Sequence, residues 1–329
     1  MTPKENSPGG LLVAIATQPG QFELRPRQLR ASDYGAILST IENKKNNPGA
    51  NLEPHDQRNL ILMDTIKKLE EASSTAHYHK CALRNLDAWK RERITHDGMI
   101  VHLLPGDWGE VTLAMTKRYG HIFACLNMAN AFAPGGGYTD GMIAQEENMY
   151  RRTDCHFSLD RKDLDEHMYY LPEKTRLING EDDRVYLDSV CPRVCIRGAE
   201  DCTASNLGYP LLSENELFLF YELRSAAKDL RYGGRYDRSE TTKRIAAQLD
   251  TLIAHGVRHV VLSAFGCGAF LNPGEDVAAV YKEELQKHAL DFDVVTFGIF
   301  HAGYGPGNFE PFRRVFGDWS KPLWNNISR

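Results

Sequence analysis

The strongest constraint on this chain is an alternation that begins near Gly98. Apolar runs of strand length, "MIVHLL", "HIFACLN", "ELFLFYELR", "HVVLSAFG" and "FDVVTFGIFH", are separated by stretches with helical spacing. "PGDWGEVTLAMTKRYG" reads as a turn into a helix. "SETTKRIAAQLDTLIAHG" reads as a helix with a cap at Ser239 and a stop at Gly256, and "PGEDVAAVYKEELQKH" as another. Strands alternating with helices of ten or more residues imply a largely parallel sheet covered on both faces. The expected fold class is α/β, with no internal repeat and no low-complexity segment.

The part before this alternation has a different texture. Residues 1–21 are polar and rich in proline and glycine, and read as a loose tail around one short apolar run. Residues 22–97 read as a helical accessory region. "SDYGAILSTIENKK" begins at a cap, Ser32 or Asp33, and spaces Ile37, Leu38 and Ile41 at helical intervals. "NNPGANLEP" interrupts it with turn residues, "HDQRNLILMDTIKKLEEA" resumes the period, and "CALRNLDAWKRERI" adds a third helix. Residues 98–329 form the remaining domain.

Composition narrows the functional classes. An apolar share of 42% with 10% aromatics supports a sizeable core. A formal charge of −5 argues against a general nucleic-acid or membrane-surface binder, though not against a local basic pocket. There is no run of 18 apolar residues, and "GLLVAIA" lacks the flanks and cleavage site of a signal peptide. An intracellular location is expected, in the cytoplasm or in a host cell reached without a classical signal peptide. Seven cysteines form no disulfide framework, and Cys191, Cys195 and Cys202 match no zinc spacing. No metal or cofactor is expected.

Two loops leave apolar strands and enter helices: "NMANAFAPGGGYTDGMIA" and "SAFGCGAFLNPGE". Ligands of open α/β sheets bind in crevices at such strand ends. Glycines let backbone N–H groups crowd against phosphate oxygens, and a helix amino terminus adds partial positive charge. Neither loop is a P-loop, because no Gly-Lys-Ser/Thr follows, and neither fits the dinucleotide pattern. Two such turns on one side of a sheet point to a diphosphate. The first loop leads straight into "AQEENMYRR", which places Glu146 and Glu147 beside that ligand. Alone, two acids in a first helical turn are a solvated face that favours the macrodipole. Next to a bound phosphate and partly desolvated, the pair would hold one proton near neutral pH, as glycosidic cleavage requires.

The order Asn-x-Ala-Asn, Pro-Gly-Gly-Gly, seven residues, then Gln-Glu-Glu is similar to the signature of the bacterial-type poly(ADP-ribose) glycohydrolases, which sit within the macrodomain fold. The resemblance extends to "SAFGCGAFLNP" and to "NFEPFRRVF" (Asn308 to Phe316) and covers roughly Gly98 to Trp319. It implies a macrodomain-like three-layer catalytic domain with a mostly parallel mixed sheet. It also implies that Gly135, Gly136 and Gly137 line the diphosphate and distal ribose, that Asn130 contacts that ribose, and that Glu147 is the catalytic acid with Glu146 on a ribose hydroxyl. Phe265, Gly266, Cys267, Gly268 and Ala269 would wrap the diphosphate from the other side, with Phe270 against the ribose. Asp107, in "LPGDWGE", resembles the macrodomain aspartate that binds the adenine amino group, and Phe300 and Tyr304 are candidates to stack on adenine. The implied partners are an ADP-ribosylated protein as substrate and ADP-ribose as product.

The sequence departs from that pattern at Asp140, a third carboxylate inside the glycine loop, and in the charged stretch between Arg151 and Tyr186. These features suit removal of single ADP-ribose units from proteins, with arginine as one linkage, and glycohydrolysis of poly(ADP-ribose) stays the alternative. Two other classes compete. A non-catalytic ADP-ribose-binding module would use the same loops but would not require Gln145-Glu146-Glu147. A thiol hydrolase would use Cys267 as nucleophile and His301 as base, but no third group can be named to orient the base.

Overall fold

The computed structural model describes residues 12–18, 21–26, 39, 43, 52–89, 98–301, 303 and 307–319. Two strands, β1 (Leu12–Gln18) and β2 (Gln21–Pro26), pair antiparallel as a separate two-stranded sheet. The segment read as a loose tail therefore carries a hairpin. The helix read from Ser32 or Asp33 lies outside the described residues, apart from Ser39 and Asn43, which are helical. The next two expected helices are present, α1 (Pro54–Glu70) and α2 (Ala72–Trp89).

The main body follows in the expected alternation. β3 (Ile100–Pro105) leads to α3 (Trp108–Tyr119), and β4 (Phe123–Met128) leads through the glycine loop to the short α4 (Gln145–Arg152). Next come α5 (Pro172–Asn179), β5 (Tyr186–Cys195) and β6 (Phe218–Ser225). After β6 come α6 (Arg238–Ala254), β7 (His259–Leu262), α7 (Gly274–Lys287), β8 (Val294–Ile299) and α8 (Phe309–Phe316). The six-stranded sheet has the order β3-β8-β7-β4-β6-β5. All its neighbours are parallel except β5, which runs antiparallel to β6.

β5 had no counterpart in the sequence reading, for a physical reason. It is an edge strand with Pro192 inside it and a register shift between Asp188 and Arg193. Proline is tolerated at an edge, where no N–H is needed for a second neighbour. One boundary also moves: α6 is capped by Asp237, whose carboxylate accepts the Glu240 N–H at 3.1 Å, and not by Ser239. Gly256 does lie just past its end, with φ at +67°.

Alternation along the strands builds two cores. Phe123 and Cys125 of β4 face one layer, while Ala124 and Leu126 face the other. The first layer holds Leu62, Ile66 and Leu69 of α1, Cys81 and Ala82 of α2, and Trp108 and Met115 of α3. The second holds Ile245 and Leu249 of α6, Val277 and Tyr281 of α7, and Phe312 and Phe316 of α8. The result is a three-layer α/β/α body. Its accessory helices α1 and α2 share one continuous core with the sheet. Among the described residues, no helix is long and apolar enough to cross a membrane.

Candidate active site at the carboxyl end of the sheet

Five parallel strands end on one side, so the loops after β3, β4, β6, β7 and β8 converge there. The loop after β4 is shaped by its glycines. Gly135 and Gly136 have φ at +76° and +56°, a region that L side chains seldom adopt. A Cβ on Gly136 would sit 2.3 Å from Glu147 Oε1, so only glycine lets the backbone lie against that carboxylate. Gly135 N–H donates to Glu146 Oε1 at 3.0 Å, and Gly137 N–H donates to Glu147 Oε1 at 3.0 Å. Asn130 N–H donates to Glu146 Oε2 at 2.7 Å, and Gly136 N–H donates to the Ala133 carbonyl at 2.9 Å. Every N–H of the triplet is thus met by a protein oxygen. The triplet is a holder for two carboxylates.

Gln145 anchors the arrangement to the sheet. Its Nε2 donates to the Leu126 carbonyl at 2.8 Å, and its Oε1 accepts the Met128 N–H at 2.9 Å. It behaves as an extra rung at the end of β4 and fixes where α4 starts. Asn130 Oδ1 accepts the N–H groups of Phe132 and Ala133, which turns the chain toward the triplet. Among the described residues the Asn130 amide meets no acceptor, which leaves it as a donor toward a ligand.

Both glutamates are buried. Burial raises the pKa of each, and the charge of Glu147 pushes Glu146 up further, while Arg224 and the N–H donors act against the rise. A proton kept by the pair belongs to the pair as a whole, but geometry gives it one position. Both oxygens of Glu146 and the Oε1 of Glu147 already accept N–H groups. Glu147 Oε2 is buried and meets no partner among the described residues.

Behind the pair lies an ion cluster missed in the sequence. Arg224 Nε donates to Glu222 Oε1 at 2.6 Å, and Arg193 Nε donates to Glu222 Oε2 at 3.4 Å. Burial alone would raise Glu222, but the two guanidiniums outweigh it and hold its pKa down to about 2. Glu222 and Arg224, two residues apart on a buried strand, share a face. That pattern in "LFLFYELR" is the signal that could have revealed the cluster. Arg231, in the turn-rich "RYGGRYDR" after β6, was also missed. Its guanidinium lies 5.1 Å over the Phe270 ring, close enough to Glu147 for their charges to interact.

The loop after β7 is built differently. Gly266 has φ at +71°, and a Cβ there would sit 2.4 Å from Ala227 Cβ. Phe265 is buried beneath the loop. The Cys267 thiol is buried and directed toward the Phe265 carbonyl, with Sγ to O at 3.5 Å, and burial pushes its pKa up. His301 is exposed and its Nδ1 meets the Gly303 N–H, and among the described residues no base is bonded to the thiol. The thiol-hydrolase reading therefore fails. Gly268 is open, with nothing within 4 Å of where a Cβ would be. Among the described residues no acceptor meets the N–H groups of Gly268, Ala269 or Phe270.

The remaining expected residues divide. Asp107 caps α3, accepting the Gly109 and Glu110 N–H groups at 2.9 and 3.4 Å, and pairs with Arg152. Oδ1 carries all three contacts, which leaves Oδ2 for a ligand. Phe300 stands exposed at the end of β8. Tyr304 lies outside the described residues. Asp140 ends a short turn (Tyr138–Asp140), with Oδ2 3.7 Å from where a Cβ on Gly137 would be.

The charged stretch after Arg151 is internal at its start and exposed further on. Arg151, Arg152, Asp154 and His156 are buried. Asp154 accepts the Val194 N–H at 2.9 Å and lies 3.1 Å from His79 Nε2. The accessory helix α1 braces the same region. Arg58 donates to the Gly141 carbonyl at 3.4 Å and pairs with Glu200 at 2.7 Å, and Thr65 donates to the Arg151 carbonyl at 2.7 Å.

Fold and site together define a three-layer α/β protein with a buried carboxylate pair set beside an open N–H loop. Residues 57–191, which hold most of α1, the glycine triplet and both glutamates, match the family model of the microbial-type PARG, catalytic domain. The poly(ADP-ribose) glycohydrolase (PARG) of Thermomonospora curvata is similar in structure, with a TM-score of 0.55 and 22% identity, over 79% of this chain and 99% of that one. The same protein bound to the inhibitor ADP-HPD gives 0.54 at 23% identity with the same coverage. The PARG of Deinococcus radiodurans in complex with ADP-ribose gives 0.50 at 20% identity, over 73% of this chain and 92% of that one. No curated protein sequence matches. These likenesses establish the fold.

Proposed function

We propose that this protein is a glycosidic-bond hydrolase of the PARG type that releases ADP-ribose, with Glu147 as the acid. The observation that carries this reading is the buried Oε2 of Glu147, which has no partner among the described residues, beside three carboxyl oxygens that are all held by backbone N–H groups. A module that only binds ADP-ribose has no use for a second buried carboxylate, which is expensive to keep dry.

The ligand would lie between the two loops. The N–H groups of Gly268, Ala269 and Phe270 take the diphosphate, with Gly266 and Cys267 shaping the turn and Phe265 supporting it from below. Asp107 Oδ2 takes the adenine amino group, and Phe300 flanks the base. The distal ribose rests on the triplet, with Glu146 and the Asn130 amide fixing its hydroxyls. Glu147 then protonates the leaving atom, an oxygen or, on an arginine linkage, a guanidine nitrogen, as positive charge develops at the anomeric carbon, and water attacks that carbon. Anionic Glu147 takes the proton from the water and closes the cycle.

The acceptor is a protein, and arginine is the linkage that the site favours. Asp140 offers an exposed carboxylate next to Gly137, where a leaving guanidinium would emerge. Exposed Phe132, Met142, Ile143, Tyr232 and Leu271 rim the same end of the sheet. Such a rim suits a polypeptide better than a polyanion.

Arginine-, glutamate- and serine-linked mono-ADP-ribosylated proteins and the polymer, incubated in parallel, decide the acceptor by the ADP-ribose released. Fastest release from the arginine-linked protein, slowed by Asp140→Asn, is expected. Release from the polymer alone would overturn the acceptor assignment and leave the hydrolase standing. Glu147→Gln should bind ADP-ribose in the presence of a chelator while losing about 10²- to 10⁴-fold in rate. Turnover at the wild-type rate in that variant would refute the assignment of the acid.

A further inference from the structure

Glu214 precedes β6, at the end of that strand opposite the catalytic carboxylates. Strand rise over Phe218–Ser225 separates the two ends by on the order of 20 Å. Three side chains meet there. His77 Nε2 lies 3.0 Å from Glu214 Oε1 and 3.6 Å from Cys81 Sγ, and the three donor atoms all lie within 4.8 Å of one another. His77 and Cys81 are four residues apart on α2 and so stand on one face of that helix.

We propose that His77, Cys81 and Glu214 bind a zinc-class divalent cation that staples α2 to the segment leading into β6. The donor set is one imidazole, one thiolate and one carboxylate, which suits zinc and not calcium or magnesium. Bonds of about 2.0 to 2.3 Å at tetrahedral angles put donor atoms roughly 3.3 to 3.8 Å apart, close to the spacings seen here.

The surroundings hold these donors in place. Asn85 Nδ2 donates to the Glu214 and Leu217 carbonyls at 2.6 and 2.9 Å, which fixes the segment against α2. Arg84 pairs with Glu214 Oε2 at 3.4 Å and so leaves Oε1 turned toward His77. The His77 and Glu214 side chains are both more than half exposed, so a cation enters from solvent. As the Sγ–metal bond forms, the Cys81 thiol gives its proton to solvent. Thiolate and carboxylate together then balance the 2+ charge, and water takes the fourth position.

The test uses the full chain, stripped with a chelator and titrated with Zn²⁺ against a chromogenic zinc indicator. One equivalent should bind. His77→Gln and Cys81→Ser should each weaken it by more than about 100-fold, beyond the cost of losing an outer-shell partner. Cys202→Ser, at the exposed cysteine, should leave binding unchanged. Co²⁺ in place of Zn²⁺ should give a thiolate charge-transfer band that Cys81→Ser abolishes. His77 is exposed, so its variant folds whatever its role, and Zn²⁺ should raise the melting temperature of the wild type but not of His77→Gln. Failure to bind one equivalent, or tight binding that survives His77→Gln, would overturn the proposal. So would binding that Cys202→Ser removes.

Discussion

In the loop after β4, the N–H groups of Gly135, Gly136 and Gly137 all meet protein oxygens, two of them on carboxylates. In the loop after β7, the N–H groups of Gly268, Ala269 and Phe270 meet no acceptor among the described residues. From sequence, both loops looked like phosphate cradles. The difference teaches that a run of glycines marks close approach of backbone to something, and that the something can be the protein's own side chains. The first loop stores acid chemistry. The second offers donors to an anion.

The largest effect that sharpens this contrast belongs to Gly136→Ala. The new Cβ would press on Glu147 Oε1 in a backbone region that costs alanine about 1 to 2 kcal/mol. Displacing the acid by an ångström is worth about 10²-fold, so kcat should fall at least that far. ADP-ribose affinity, measured by calorimetry, should change much less. Gly268→Val is the mirror case. Nothing within 4 Å of that position resists a Cβ, and its φ is not in the left-handed region, so the melting temperature should hold. The added bulk would fill the place proposed for the diphosphate, and affinity should drop by about tenfold, or 1.4 kcal/mol. If the two variants exchanged these phenotypes, the division of labour between the loops would be wrong.

Smaller effects follow from protonation and from the thiol. Because burial raises the pKa of Glu147, the folded state binds more protons than the unfolded state above the ordinary carboxylate range. Stability present at low pH is therefore lost as pH rises through the raised value. Glu147→Gln does not titrate there, so its melting temperature should gain on the wild type between about pH 5 and about pH 8. A gap that stays constant across that range would mean an ordinary carboxylate. Smallest of all, Cys267→Ala should keep kcat within about threefold, since its thiol faces the Phe265 carbonyl and no base.

Much of this was legible in the sequence because the signals were periodic or local. The parallel strands after Gly98 and the helices between them follow from apolar runs and helical spacing. The triplet and Gln145-Glu146-Glu147 follow from their order along the chain. What escaped depended on partners far away in sequence. β5 is an edge strand interrupted by Pro192, so it carries no apolar run to recognise. The stretch from Arg151 was read only as unusually charged, yet Arg151 and Asp154 are buried by α1, α2 and β5. Asp107 was read for a ligand, and its tie to Arg152, 45 residues away, could not be seen.

The proton on Glu147 is the point on which the catalytic reading rests. Carbon-13 NMR of the wild type and Glu147→Gln, both labelled at the glutamate carboxyls and held at about pH 7, observes it directly. One protonated carboxyl resonance should be present in the wild type and absent from the variant, where Glu146, held by the Asn130 and Gly135 N–H groups, stays ionised beside a neutral side chain. Two ionised carboxylates in the wild type, or a protonated signal that persists in Glu147→Gln, would contradict the assignment of Glu147 as the acid.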